Sequence, residues 1–273
     1  MSDSMDGMFR DLISRMDDFD SEVFSLTVSE SKRLIARGLA EDERVQSAMA
    51  EGMVAVCKGT TNGYVLEELL GRDVDKAKYV LGRTIPAGDD RAQRVFEGSI
   101  PEVVFNHGEP VDGLTVGEAV HQMSAGDVVL KGANALDYGN GSAAVLIGHP
   151  EGGTMAAIIG CVYGKGLELI IPVGLEKQVA TPIAVAEGMA VPALCADIDA
   201  PRFWPIRGSL FTEIEALEAL ADVMTIQLGA GGVCGAEGAV WLMVSGATAA
   251  VEAARDTIEG IRGEPSFFDA AGR

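Results

Sequence analysis

The sequence predicts an α/β chain: a mainly parallel sheet with helices on both faces, followed by a smaller α+β unit. Three observations carry this. Short apolar runs are each followed by a glycine-bearing turn and then by a helical stretch or another run, the order that builds a parallel sheet. Hydrophobic residues make up 48% of the chain but aromatics only 5%, with 34 glycines, which suits close-packed helices on a Val/Ile/Leu sheet. Past about residue 190 the order changes to helix, strand, strand, helix, the pattern of an α+β plait.

The elements follow in order. Residues 1–20 place Met5, Met8, Phe9, Leu12, Ile13 and Met16 at helical spacing among acids. That predicts a short amphipathic helix packing on the body or on a second subunit, the latter making the chain a homo-oligomer. Thr27 to Ala50 reads as two helices broken near Gly38, with Thr27 or Ser29 as N-cap. In GMVAVCKGTTNGYVLEELLG (52–71), Met53 to Cys57 is a strand, KGTTNG a turn and Tyr64 to Leu70 a helix. DVVLK (127–131) is a strand that runs into GANALDYGNG. AAVLI (143–147) is a strand followed by GHPEGGT and a helix from Met155 to Tyr163. LELIIPV (167–173) is a further buried strand. These strands are expected to share one Rossmann-like sheet.

The terminal part reads as a helix over 212–222, a strand over 223–228, the loop GAGGVCGAEG, a strand over 239–245 and a helix over 247–261. This is most of a ferredoxin-like plait. The expected organisation is N-terminal helices over 1–50, an α/β domain over 51–194 and a ferredoxin-like α+β domain over 195–273.

Charge narrows the partners. With 41 acidic against 21 basic residues the formal net charge is −20, which repels nucleic acid and anionic lipid. No apolar run reaches the roughly 18 residues that span a bilayer. The acidic first residues do not suit a secretory or transit peptide. Cys57, Cys161, Cys195 and Cys234 lie far apart without a C-x-x-C pair, as in a reducing compartment, so a cytoplasmic location is expected. His107, His121 and His149 lie on unrelated segments, so no metal site is expected, and no cofactor motif stands out. No G-x-S-x-G elbow supports a hydrolase. A small anionic metabolite remains the expected partner, because backbone amides bind anions locally against the global field.

Three turns are candidates for holding it. In KGTTNG, Lys58, Gly59, Thr60, Thr61 and Asn62 offer hydroxyls, amides and main-chain N–H groups at a helix start, where the dipole favours phosphate or carboxylate. In GHPEGGT, Gly152, Gly153 and Thr154 repeat that logic, with His149 and Glu151 as titratable neighbours. In the third, a strand ends in Lys131, then Gly132, Asn134 and Asp137, and the lysine can hold a substrate charge or act as an acid. Each also reads as an ordinary turn: Thr and Asn cap many helices, and a lysine at a strand end is often merely solvated.

At these residues the chain resembles the superfamily of ribose-5-phosphate isomerase A, glucosamine-6-phosphate deaminase and the CoA transferases. The resemblance rests on GMVAVCKGTTNGYVLEEL (52–69), KGANALD (131–137), LIGHPEGGTMAAI (146–158) and LELIIPVGLEKQV (167–179), and so covers about Gly52 to Val179. GANALDYGNG is also similar to a turn of the methylthioribose-phosphate isomerase and initiation-factor branch. The resemblance implies a phosphorylated or carboxylated ligand and an aldose–ketose isomerase-like proton transfer. Glu151 or Asp137 would be the base, and Lys131 or Lys177 would stabilise an enediolate. Lys131 and Asn134 stand where the isomerase carries acids, which argues against ribose-5-phosphate turnover. Two alternatives follow: a non-catalytic sensor or regulatory subunit that kept the pocket, and an acyl-CoA transferase-like enzyme with Glu151 as nucleophile.

Overall fold

The computed structural model describes residues 18–82, 84–85, 90–95, 97–190, 202–267 and 269. The helix expected over residues 1–20 lies outside them up to Asp17. From Phe19 the chain is instead strand β1 (Phe19–Leu26), in which Phe24 and Leu26 turn inward on alternate positions. Helices α1 (Val28–Glu41) and α2 (Glu43–Glu51) follow. They part at Asp42, not at Gly38. The Asp42 carboxylate accepts the N–H groups of Arg44 (3.0 Å) and Val45 (3.3 Å) and so starts α2. Thr27 and Glu30 close a capping box on α1.

Next come β2 (Met53–Val56), α3 (Thr60–Leu70), α4 (Asp90–Val95), β3 (Val103–Asn106), β4 (Glu109–Pro110) and α5 (Val116–Gln122). They are followed by β5 (Val128–Leu130), β6 (Ala135–Asp137), β7 (Ser142–Ile147), α6 (Gly153–Lys165) and β8 (Glu168–Pro172). The chain closes with α7 (Ile183–Ala190), β9 (Arg202–Ile206), β10 (Ser209–Phe211), α8 (Glu213–Ala221), β11 (Met224–Ala230), β12 (Val240–Ala247) and α9 (Thr248–Glu259).

The central sheet is mixed, with six strands in the order β10-β8-β5-β2-β3-β4. Its first four strands are parallel, and β3 and β4 add an antiparallel edge. The register sets Val54, Ala55 and Val56 beside Val128, Val129 and Leu130, which in turn face Glu168, Leu169 and Ile170. Val54 to Val56 and Val128 to Leu130 are all buried, as expected of strands covered on both faces. α1 lies against α3 and α8, and Gly38, inside α1, leaves room for α8 to cross closely: a Cβ would sit 2.6 Å from the Ala216 Cα.

One expectation is corrected. β7, read as a member of the parallel sheet, lies instead between β6 and β9 in a separate antiparallel sheet. Only residues 138–141 join β6 to β7, with Gly141 at φ 60°, and so short a link makes a hairpin. A parallel crossover needs about a dozen residues. Strand pairings also join segments on both sides of residue 195. β9 pairs with β7 and β10 with β8, while β11 and β12 build their sheet with β1 from the other end of the chain, in the order β1-β12-β11. The main hydrophobic core runs from Leu26 through Val54, Val145 and Leu217 to Val244 and Ile258, and a smaller cluster gathers Ala135, Ala144 and Ile183.

Candidate functional site

The parallel strands β2, β5 and β8 are neighbours, and the chain leaving each of them supplies one wall of a cavity of about 510 Å³. After β2, the Cys57 N–H continues the ladder to the Leu130 carbonyl (3.0 Å) and the Gly59 N–H donates to the Tyr79 carbonyl (2.9 Å). α3 then starts at Thr60 with no side-chain cap. Among the described residues no hydrogen bond takes the N–H groups of Thr60, Thr61 or Asn62, the free donors at the positive end of a helix dipole. Asn62 is fully buried. Its Nδ2 donates to the carbonyls of Cys57 (2.7 Å) and Leu130 (2.9 Å), which ties the ends of β2 and β5 together. Among the described residues the Asn62 Oδ1 and the buried Thr61 Oγ1 have no hydrogen-bond partner, and both residues line the cavity.

From β5, Lys131 turns into the same space. Its N–H reaches the Ile170 carbonyl (3.0 Å) and its Nζ donates to the Gly132 carbonyl (3.1 Å). From β8, the single helical turn 175–177 presents Lys177, whose Nζ donates to the Ala133 carbonyl (2.8 Å). The two amines are thus tied to consecutive carbonyls of one turn, and among the described residues neither is paired with a carboxylate. Burial lowers the pKa of Lys131, with Cys57 and Glu102 opposing the fall. Burial likewise pulls Lys177 down to about 8; Glu176 and Glu213 oppose this, while Lys32 and Lys131 reinforce it. Lys58 adds a third ammonium, donating to Ser99 Oγ (2.8 Å). The neighbouring thiol is inert, since burial pushes Cys57 up to about 12. No acidic side chain lines the cavity among the described residues.

The turn that carries Lys177 is braced from behind. The Leu175 N–H donates to the fully buried Glu213 carboxylate (2.9 Å), and Lys32 Nζ pairs with Glu176 Oε1 (3.3 Å). Burial raises Glu213 to about 7, and the adjacent Glu176 charge adds to the rise.

The cavity brings together Lys58, Gly59, Thr60, Thr61, Asn62, Lys131, Gly132, Asn134 and Lys177, all singled out from the sequence. Asn134 also fixes the hairpin, its Oδ1 accepting the Leu146 N–H (3.0 Å). The other candidates lie elsewhere. Asp137 is buried and accepts both from Asn140 Nδ2 (3.0 Å to each oxygen) and from the Ile183 N–H (3.2 Å) at the start of α7. His149, Glu151 and Gly152 border a second cavity of about 550 Å³, beside Arg202 and Trp204. Gly153 and Thr154 open α6 and line neither cavity. Gly152, at φ 81°, is required by packing: a Cβ would sit 2.9 Å from Trp204 Cζ3. Leu81, Gly82, Thr84, Ala133, Leu146 and Gly148 also line the first cavity without having been singled out. Ala133 and Gly148 follow strand ends, whereas Leu81, Gly82 and Thr84 lie on a segment remote from any strand end and carried no local signal.

Among the described residues no helix is long and apolar enough to cross a membrane, and no group of three or more His, Cys, Asp and Glu is arranged to hold a metal ion. Searches against protein-family models, curated proteins and solved structures match nothing to this chain.

Proposed function

We propose that the chain binds a small phosphorylated or carboxylated metabolite at the carboxyl ends of β2, β5 and β8. One observation carries this reading. In a protein of net charge −20, Lys58, Lys131, Lys177 and the uncapped start of α3 converge on a cavity with no acid in its described lining. Burying two ammonium groups with no carboxylate partner among the described residues costs stability, and an anionic ligand offsets that cost. Carboxyl ends of parallel strands are also where open α/β sheets take their ligands.

The strands β10, β8, β5 and β2 with their helices are read as a Rossmann-like core. β1, α8, β11, β12 and α9 are read as a ferredoxin-like plait assembled from both ends of the chain. The ribose-5-phosphate isomerase A superfamily stays the proposed kinship, supported by the strand-turn-helix of residues 52–69. With Asp137 and Glu151 outside the cavity, neither the isomerase base nor the transferase nucleophile expected from that kinship is at hand. The geometry therefore favours binding without aldose–ketose isomerisation, as in a metabolite sensor or regulatory subunit.

Calorimetry with glycerol phosphate, inorganic phosphate and small carboxylates tests this. Lys131→Met is expected to weaken the anion roughly ten- to a hundred-fold, the equivalent of about 1.5–3 kcal/mol for a charge-assisted hydrogen bond. Ribose 5-phosphate is expected to bind without turnover. An affinity unchanged in that variant would place the anion elsewhere.

A further inference from the structure

We propose that Lys177 is a nucleophile that condenses with the carbonyl group of a phosphorylated aldehyde or ketone whose phosphate sits at the start of α3, an inference that rests on the anion-binding reading above. The two lysines are not equivalent. Lys131 follows β5, the strand next to β2 and α3, whereas Lys177 follows β8, one strand further away. A phosphate on the free N–H groups of Thr60 to Asn62, within reach of the unpartnered Thr61 hydroxyl, lies on the Lys131 side and holds that amine in its charged form. Lys177 then faces the other end of the ligand.

Three features suit Lys177 to attack. It is half-buried in the cavity, no carboxylate among the described residues is bonded to its Nζ, and the Ala133 carbonyl fixes the amine by accepting a hydrogen bond that a neutral amine also donates. With its pKa near 8, about a tenth of the side chain is neutral at pH 7, against roughly one part in 3,000 for an ordinary lysine. Glu176 and Glu213 oppose that fall, and Lys32, bonded to Glu176, and Lys131 promote it.

The step balances without any co-reactant. The Nζ lone pair forms a bond to the carbonyl carbon, and the C=O π electrons move to oxygen. Two protons pass from nitrogen to that oxygen, which leaves as water, and a neutral imine remains.

Trapping tests it. The full chain is incubated with glyceraldehyde 3-phosphate or with unphosphorylated glyceraldehyde, in the presence of cyanoborohydride, and the adduct is located by peptide mass mapping. A reduced adduct on Lys177 is expected, formed at least ten-fold faster with the phosphorylated probe and suppressed by inorganic phosphate. Lys177→Arg, checked for an unchanged thermal transition, is expected to lose it. The wild-type map decides the matter even if that variant does not fold. Labelling spread over surface lysines at equal rates for the two probes, or confined to Lys131, would overturn the proposal. Inorganic phosphate that binds without any Lys177 adduct would remove the nucleophile and leave the anion site standing. If neither phosphate nor adduct is detected, the anion-binding reading falls with it.

Discussion

Asn62 does the most with a single side chain. One carboxamide, at no exposure, joins the carbonyls that end β2 and β5, and its backbone opens α3 beside the cavity. Asn62→Ala leaves both carbonyls without that donor and is expected to cost about 1–3 kcal/mol. Urea unfolding should show a lower midpoint at unchanged slope, and a change below roughly 0.5 kcal/mol would deny Asn62 this role. Residues of this kind are partly legible in a sequence. Lys58 to Asn62, Lys131 and Lys177 could be picked out because a polar or basic residue directly after an apolar run must lie near a strand end. Their partners could not: nothing local to Asn62 reveals that Leu130 will stand beside it.

Among the elements, the turn 175–177 shows how a buried acid positions a site residue. Glu213 prefers its proton when folded, so the native state binds more protons than the unfolded chain between the ordinary value of 4.5 and about 7. Stability from this group is therefore present at low pH and lost as pH rises through that window. Glu213→Gln keeps an acceptor for the Leu175 N–H and removes the titration. The variant is expected to gain on the wild type by an amount on the order of 1–3 kcal/mol between pH 5 and 8, measured by denaturant unfolding. A difference that does not change with pH would contradict this. Element type was widely legible, since β2, β5, β8, β11, β12 and their neighbouring helices follow apolar period and glycine punctuation. The pairing of β7 was not. AAVLI reads the same in a parallel or an antiparallel sheet, and the deciding feature is the four-residue connection ending at Gly141. That misreading carried His149 to Thr154 into the expected site: Leu146 and Gly148 do reach the cavity at the parallel strand ends, but from His149 the turn leads away to the second cavity. β1 went unread for a different reason: its inward pair Phe24 and Leu26 follows an acidic stretch that continues a helical pattern.

In the whole molecule, a chain of net charge −20 carries a cavity walled by three lysines and a helix start. The net negative charge slows approach of an anion, while the cavity retains it through short-range donors that bulk water screens little. The long-range joins that build this arrangement, β1 on β12 and β10 on β8, link residues far apart in the chain and leave no local trace. A crystal soaked with tungstate, whose anomalous scattering marks a phosphate-like oxyanion, tests the central claim most directly. The account predicts one strong peak within hydrogen-bond distance of the Thr60 to Asn62 N–H groups and of Lys131 Nζ. Peaks confined to the outer surface, or to the turn from Gly152 to Thr154, would contradict it.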